Sequence, residues 1–207
     1  KKVSEVHRDL IGTTDLVFIQ EVDVEIDVLF LCNGHGQASK FMKTHKIPES
    51  TVVIDLITDF RLDSDWVYGL PELHKSAIQQ SNRIANCGCF ATAIQLALLP
   101  LAAHRALTED VVINAITGST GAGQQPGPTT HFSWRNNNLS TYKPFTHQHL
   151  AEITANLNIL QPIQKEFLHF IPLRGDFPRG IFATCLLNNS ESEAGLYQWY
   201  EEFYQEA

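Results

Sequence analysis

Asp27-Val28-Leu29-Phe30-Leu31-Cys32 is a short, unbroken apolar run closed by the turn Asn33-Gly34-His35-Gly36. Residues 37–46 then carry a helical pattern, and Thr51-Val52-Val53-Ile54-Asp55-Leu56 is a second, β-branched run. Strand, glycine turn, helix and strand make a βαβ unit, and both strands are apolar throughout because a parallel sheet is covered on both faces. The turn after Cys32 lies at the carboxyl end of a strand, where open α/β sheets place ligands. Upstream, Leu16-Val17-Phe18-Ile19-Gln20 reads as an earlier strand. Downstream, Asp55, Asp59 and Arg61 stand in a polar stretch leading to Val67-Tyr68-Gly69-Leu70-Pro71-Glu72-Leu73, a loop by its glycine and proline.

Asn86-Cys87-Gly88-Cys89-Phe90-Ala91-Thr92 comes next, and Ile94, Ala97, Leu98 and Leu101 recur after it at helical spacing. A tight turn therefore delivers the chain into a buried helix with Cys89 at its start. Unpaired backbone N–H groups and the positive end of the helix dipole favour a thiolate at such a place, and a thiolate is a nucleophile. The same residue could equally be a buried cysteine acting as a small hydrophobe. Cys87-x-Cys89 could supply two metal thiolates, but no second close Cys or His pair completes a four-ligand set, so no metal is assigned.

Beyond this helix, which Pro100 should end or kink, Val111-Val112-Ile113-Asn114-Ala115-Ile116-Thr117 is a strand. The turn Gly118-Ser119-Thr120-Gly121-Ala122-Gly123 follows, rich enough in glycine for a ligand to approach the backbone. Residues 124–140, with Pro126, Pro128 and the run Asn136-Asn137-Asn138, read as a long loop. His147-Gln148-His149-Leu150-Ala151-Glu152-Ile153 opens a helix in which His149 and Glu152 share a face, so the carboxylate could orient the imidazole or raise its pKa. Residues 167–173 and 180–187 are strands, antiparallel because the link between them is too short for a parallel crossover. A last helical run covers residues 193–206. The fold class is thus α/β, with a partial Rossmann-type parallel sheet domain over 1–85, then an α+β domain with a mostly antiparallel sheet over 86–207.

A chain of 207 residues with a formal charge of -8 has an overall field that repels nucleic acid and anionic membranes. No apolar run approaches the roughly 20 residues that span a bilayer, and the first residues hold no signal-peptide core. Four cysteines make a poor disulfide framework, which indicates a reducing cytoplasm.

Taken in order, these stretches resemble the N-acetyl-gamma-glutamyl-phosphate reductases, the arginine-pathway branch of the aspartate-semialdehyde dehydrogenase-like enzymes. The carriers are Cys32-Asn33-Gly34-His35-Gly36, Val53-Ile54-Asp55-Leu56 with Asp59-Phe60-Arg61, Tyr68-Gly69-Leu70-Pro71-Glu72-Leu73, Gly88-Cys89-Phe90-Ala91-Thr92, residues 118–123, and His147-Gln148-His149 with Glu152-Ile153. The resemblance implies reduction of an N-acyl-glutamyl 5-phosphate by NADPH through a cysteine thioester. It places the nucleophile at Cys89 and the acid/base at His149, preferred over His147 and acting as an imidazolium toward the alkoxide.

The resemblance also implies a second domain that pairs subunits into a homo-oligomer. Cofactor contacts fall to Gly34, His35 and Gly36 and to Gly121, Ala122 and Gly123; Arg61, Arg179 and Glu152 are assigned to the substrate. The glycine-rich first phosphate loop and the tail that returns to the cofactor domain are absent from these residues. Cys87 replaces the usual proline, adding a thiol open to oxidation against a neighbour, and Ile57 replaces a usual serine. A non-catalytic domain kept for subunit pairing or regulation, and an aspartate-semialdehyde dehydrogenase-like reductase, are the alternatives.

Overall fold

A computed structural model of the chain describes residues 1–21, 25–123, 125 and 127–205. Gln124 and Pro126 of the long polar stretch, and Glu206 of the last helical run, lie outside the described residues. In chain order the first elements are α1 (Val3–Val6), β1 (Val28–Leu31), α2 (Gln37–Thr44), β2 (Val52–Asp55), β3 (Val67–Gly69), α3 (Pro71–Gln80) and β4 (Arg83–Asn86). They are followed by α4 (Cys89–Ala103), β5 (Val111–Thr117), α5 (Phe132–Arg135), β6 (Ser140–Thr141), α6 (His149–Leu160), β7 (Leu168–Arg174), β8 (Ile181–Leu186) and α7 (Glu193–Phe203).

The first sheet, in the order β1-β2-β4-β3, is parallel at every pairing. Leu31, Val53 and Ala85 of its inner face pack with Ala38 of α2 and Phe60, and the Phe60 ring stacks on Trp66 at 4.1 Å. Because the strands are parallel, the segments leaving β1, β2 and β4, which carry His35, Arg61 and Cys89, emerge on one edge.

The second sheet, in the order β6-β7-β5-β8, is mixed. β5 runs parallel to β7 along its whole length and antiparallel to β8, while β6 is antiparallel to β7. β7 and β8 do run in opposite directions, as the short link requires, but they do not pair: β5 is inserted between them. The parallel register brings Thr117 beside Arg174, so the glycine turn after β5 and the end of β7 reach the same edge. Helix α4 is apolar nearly all round and is buried between the mixed sheet and α6 and α7, with Phe90, Ile94, Leu98 and Leu99 at 1% exposure or less.

Several local expectations change. Residues 16–20 form no strand; Val17 makes a single antiparallel bridge to Lys2, and Leu16 and Ile19 stay exposed. The stretch 67–73 is not a loop, because Val67–Gly69 pairs with β4 and Pro71 takes the first position of α3, where its missing N–H has no intrahelical role. The polar stretch is partly ordered: α5 presents a buried Arg135, whose guanidinium donates to the Arg174 carbonyl and, at 2.8 Å, to Ser140 Oγ. Pro100 does not end α4. Its absent N–H would have served the Leu96 carbonyl, which instead accepts the Tyr204 hydroxyl at 2.7 Å, and the neighbouring Ala97 carbonyl accepts Tyr200. The last helix thus replaces the donor that proline removed.

Candidate active site

Cys89 is the first residue of α4 and is exposed, while Phe90 behind it is fixed in the core, edge-on to Phe170 at 5.2 Å. A cleft of about 340 Å³ opens in front of the sulfur, lined by Cys89, His147, His149, Arg61, Arg174 and Lys143, with His35, Ile57 and Gly121 among the remaining walls. An adjoining hollow of about 400 Å³ shares His35, Arg61 and Lys143 and reaches Glu152. Residues from both sheets therefore meet at one place.

Gly88 precedes the nucleophile in extended backbone (φ -68, ψ 146), which any residue could adopt. Space is what demands glycine: a Cβ there would sit 2.5 Å from His149 Nε2 and 2.7 Å from Arg61 Nη1. The peptide leading to Cys89 is thereby packed directly on the imidazole. No periodicity or turn rule in the sequence announces this contact.

Glu152 is the hub behind the cleft. Its carboxylate accepts Arg61 Nη1 at 3.1 Å, the Tyr68 hydroxyl at 2.7 Å and the Gly88 N–H at 3.0 Å, and the residue is only 4% exposed. Its distance of 3.7 Å to His149 Nε2 is too long for a hydrogen bond. The expected pull on the histidine is therefore overridden. Burial, followed by the Arg61 and Lys143 charges, lowers the His149 pKa to about 4. His147 is lowered to about 4 as well, by burial first and then by His149 and Lys143. Both rings are neutral at pH 7, so an imidazolium at His149 has to form during the reaction by taking up a proton. His147 Nδ1 accepts the His149 backbone N–H at 3.2 Å, which leaves the ring proton on Nε2.

The residues read from the sequence divide into groups. Cys89, His149, His147, Arg61, His35 and Gly121 meet at the cleft. Arg61 is further anchored by Nε to the Asn86 carbonyl at 2.9 Å. Arg179 does not join them; it is exposed on the segment 175–180, whose backbone is tied to the turn after β5 through Gly118 N–H to Gly180 O at 3.0 Å. Arg174, not chosen from the sequence, lines the cleft in its place, with its guanidinium 4.4 Å over the Tyr142 ring. Recognising β5 and β7 as parallel would have found it, since it ends a strand on the ligand edge. Glu152, assigned to the substrate from the sequence, reaches the adjoining hollow, with its carboxylate engaged by the Arg61, Tyr68 and Gly88 donors.

Of the cofactor candidates, Gly34, Gly36, Ala122 and Gly123 stand outside the cleft lining. The start of α2 is not an anion site, because Asp59 already accepts the N–H groups of Gly36 and Ser39 at 2.8 and 3.0 Å. A Cβ at Gly34 or Gly36 would meet nothing within 4 Å, so the space beside His35 is open. Cys87 points away from the cleft, with Sγ 2.8 Å from Thr92 Oγ1 and 3.6 Å from the Gly69 carbonyl. Burial raises its pKa, which disfavours the thiolate that oxidation requires. Ile57 gives the cleft an apolar wall where a serine would have been polar.

Residues 89–207 match the semialdehyde dehydrogenase dimerisation domain, and residues 1–81 match the semialdehyde dehydrogenase NAD binding domain. The chain belongs to the semialdehyde dehydrogenase family. Among curated relatives of this semialdehyde dehydrogenase-family chain, the N-acetyl-gamma-glutamyl-phosphate reductase of Phocaeicola vulgatus is 54% identical over 99% of the chain. The chain spans 65% of that relative's length. Among solved structures, aspartate semialdehyde dehydrogenase II from Vibrio cholerae superposes with a TM-score of 0.65 at 19% identity, over 88% of this chain and 62% of that one. The Candida albicans aspartate semialdehyde dehydrogenase with NADP gives 0.55 at 14% identity, over 89% and 56%. These two likenesses show the fold.

Proposed function

We propose that the chain carries the catalytic centre of an NADPH-dependent reductase that converts an N-acyl-L-glutamyl 5-phosphate to the 5-semialdehyde in arginine biosynthesis. The observation that carries this reading is an exposed thiol at the start of a buried helix, sharing one cleft with a neutral histidine and three cationic side chains. Similarity to the Phocaeicola vulgatus reductase supports the acyl-glutamyl branch. The chain divides near residue 85 into a cofactor-side part and a catalytic part.

Neutral His149 begins as a base and takes the Cys89 proton as sulfur attacks the acyl carbonyl. A C–S bond forms, the bond to phosphate oxygen breaks, and inorganic phosphate leaves with Arg61, Arg174 and Lys143 balancing its charge. The first-turn N–H groups of α4, which have no intrahelical acceptors, face the developing oxyanion. Gly88 N–H is not among them, since Glu152 holds it. His35 and Gly121 would face the nicotinamide cofactor, whose chemistry there would be hydride donation to the thioester. His149, now protonated, gives its proton to the resulting alkoxide and takes it back as the C–S bond breaks to release aldehyde, a role worth about 10²–10⁴-fold.

The outer face of the second sheet offers the surface for a second copy: Phe182 and Leu186 are 67% and 72% exposed, and the helices cover only the opposite face. A family domain described as a dimerisation domain supports that use. The test of the function is NADPH oxidation dependent on N-acetyl-glutamyl phosphate, with N-succinyl and free-amino substrates compared. Phosphate-dependent reduction of NADP by the semialdehyde is the reverse assay. Absence of both in protein that binds NADPH would reject the proposal.

A further inference from the structure

Behind the cleft a chain of buried polar groups leaves the core and ends on the backbone of the nucleophile turn. Gln95 of α4, fully buried, donates from Nε2 to the Tyr68 hydroxyl at 2.9 Å and to the Ala91 carbonyl at 2.9 Å. Tyr68 of β3 donates to Glu152 Oε2 at 2.7 Å, and the same oxygen accepts Gly88 N–H at 3.0 Å. The direction of each bond is fixed. Gln95 occupies the hydroxyl as a donor, so the hydroxyl's own proton goes to Glu152. Burial and the Glu152 charge raise the Tyr68 pKa far above any working pH, so that proton is never lost.

Such a network is expensive to bury, and apolar residues of similar volume would hold the three elements together at least as well. What apolar residues could not do is grip the peptide N–H one residue before Cys89 while holding Arg61 through the other carboxylate oxygen. We infer that Tyr68 and Gln95 are positioning residues: they lock Glu152 so that it fixes the Gly88–Cys89 turn against His149 and Arg61. The inference rests on the proposed reductase chemistry for its kinetic consequence, but its geometric consequence, the reactivity of Cys89, does not need that chemistry.

The experiment therefore has two readouts on Tyr68→Phe and on the volume-preserving Gln95→Met. Site-resolved mass spectrometry gives the rate of Cys89 alkylation by iodoacetamide at pH 7, and steady-state assays give kcat and KM with N-acetyl-glutamyl phosphate. Loss of a hydrogen bond to a buried carboxylate should slow alkylation and lower kcat about tenfold or more in Tyr68→Phe, with KM within about twofold. Gln95→Met should move both in the same direction by about threefold. Should Tyr68→Phe fail to fold, Gln95→Met alone decides the matter. A folded variant with unchanged alkylation and unchanged kcat overturns the inference, and so does a change confined to melting temperature. Slowed alkylation in a protein that never turns over acyl phosphate upholds the positioning role and rejects the reductase reading instead.

Discussion

Replacing Gly88 by alanine adds one carbon at the contact between the nucleophile turn and the imidazole. The backbone there accepts alanine, so the substitution perturbs the contact and not the chain conformation. The added Cβ would lie 2.5 Å from His149 Nε2, 2.6 Å from its Cε1 and 2.7 Å from Arg61 Nη1. Relief to an ordinary separation of about 3.5 Å requires the ring or the turn to retreat by about 1 Å. A displacement of that size at a reacting group costs on the order of 10²-fold in rate, or about 3 kcal/mol of transition-state stabilisation. Loss of glycine freedom in the unfolded chain returns roughly 0.4–1 kcal/mol, so the fold should survive. The assay is kcat for phosphate-dependent NADP reduction, with a urea melt to show that the variant is folded. A folded Gly88→Ala protein with kcat within about threefold of the parent would refute the packing of this turn on His149 as a catalytic requirement.

Acid should loosen the protein through the two buried histidines. Their folded pKa values of about 4 lie below the unfolded value of about 6.5, so the unfolded state binds more protons and stability falls as pH drops from 6.5 toward 4. The loss is on the order of 2 kcal/mol for each ring at pH 5, and a His147→Gln, His149→Gln double variant should lack this slope in urea titrations. Tyr204→Phe should cost about 1 kcal/mol in the parent and nearly nothing in Pro100→Ala, where the restored N–H serves Leu96; equal costs in a double-mutant cycle would show that no replacement bond exists. Arg174→Gln should raise KM for the acyl phosphate about tenfold or more, whereas Arg179→Gln should stay within about twofold; the reverse order would move the anion site.

Much of this was legible where the determining physics is local. The apolar runs around Leu29 and Val53 marked parallel strands, residues 111–117 gave the observed β5, and the break before Ile94 placed Cys89 at a helix start. The family emerged from ordered short stretches, each weak by itself. What was not legible depends on pairing at a distance. Inserting β5 between β7 and β8 moves the ligand edge to Arg174 and away from Arg179, and no local pattern encodes that choice. Tyr68 looked like part of a loop because three residues are too few to show alternation, yet pairing with β4 makes them a strand. Pro100 stays inside a helix because Tyr204, 108 residues beyond Leu96, satisfies the Leu96 carbonyl that the proline orphans. Glu152 lies on the face of the histidine helix that the spacing implied, but its saturation by Arg61, Tyr68 and Gly88 is a tertiary fact. So is the burial that, ahead of the Arg61 and Lys143 charges, lowers the His149 pKa where a neighbouring carboxylate was expected to raise it.

The most direct test of the account is to mix the protein with N-acetyl-glutamyl phosphate in the absence of NADPH and locate the acyl group by mass spectrometry of the quenched mixture. One acyl group is expected on Cys89, removable by hydroxylamine, released as aldehyde when NADPH is added and absent from Cys89→Ser. An acyl group on another residue, or turnover retained in Cys89→Ser above about a hundredth of the parent rate, would contradict it.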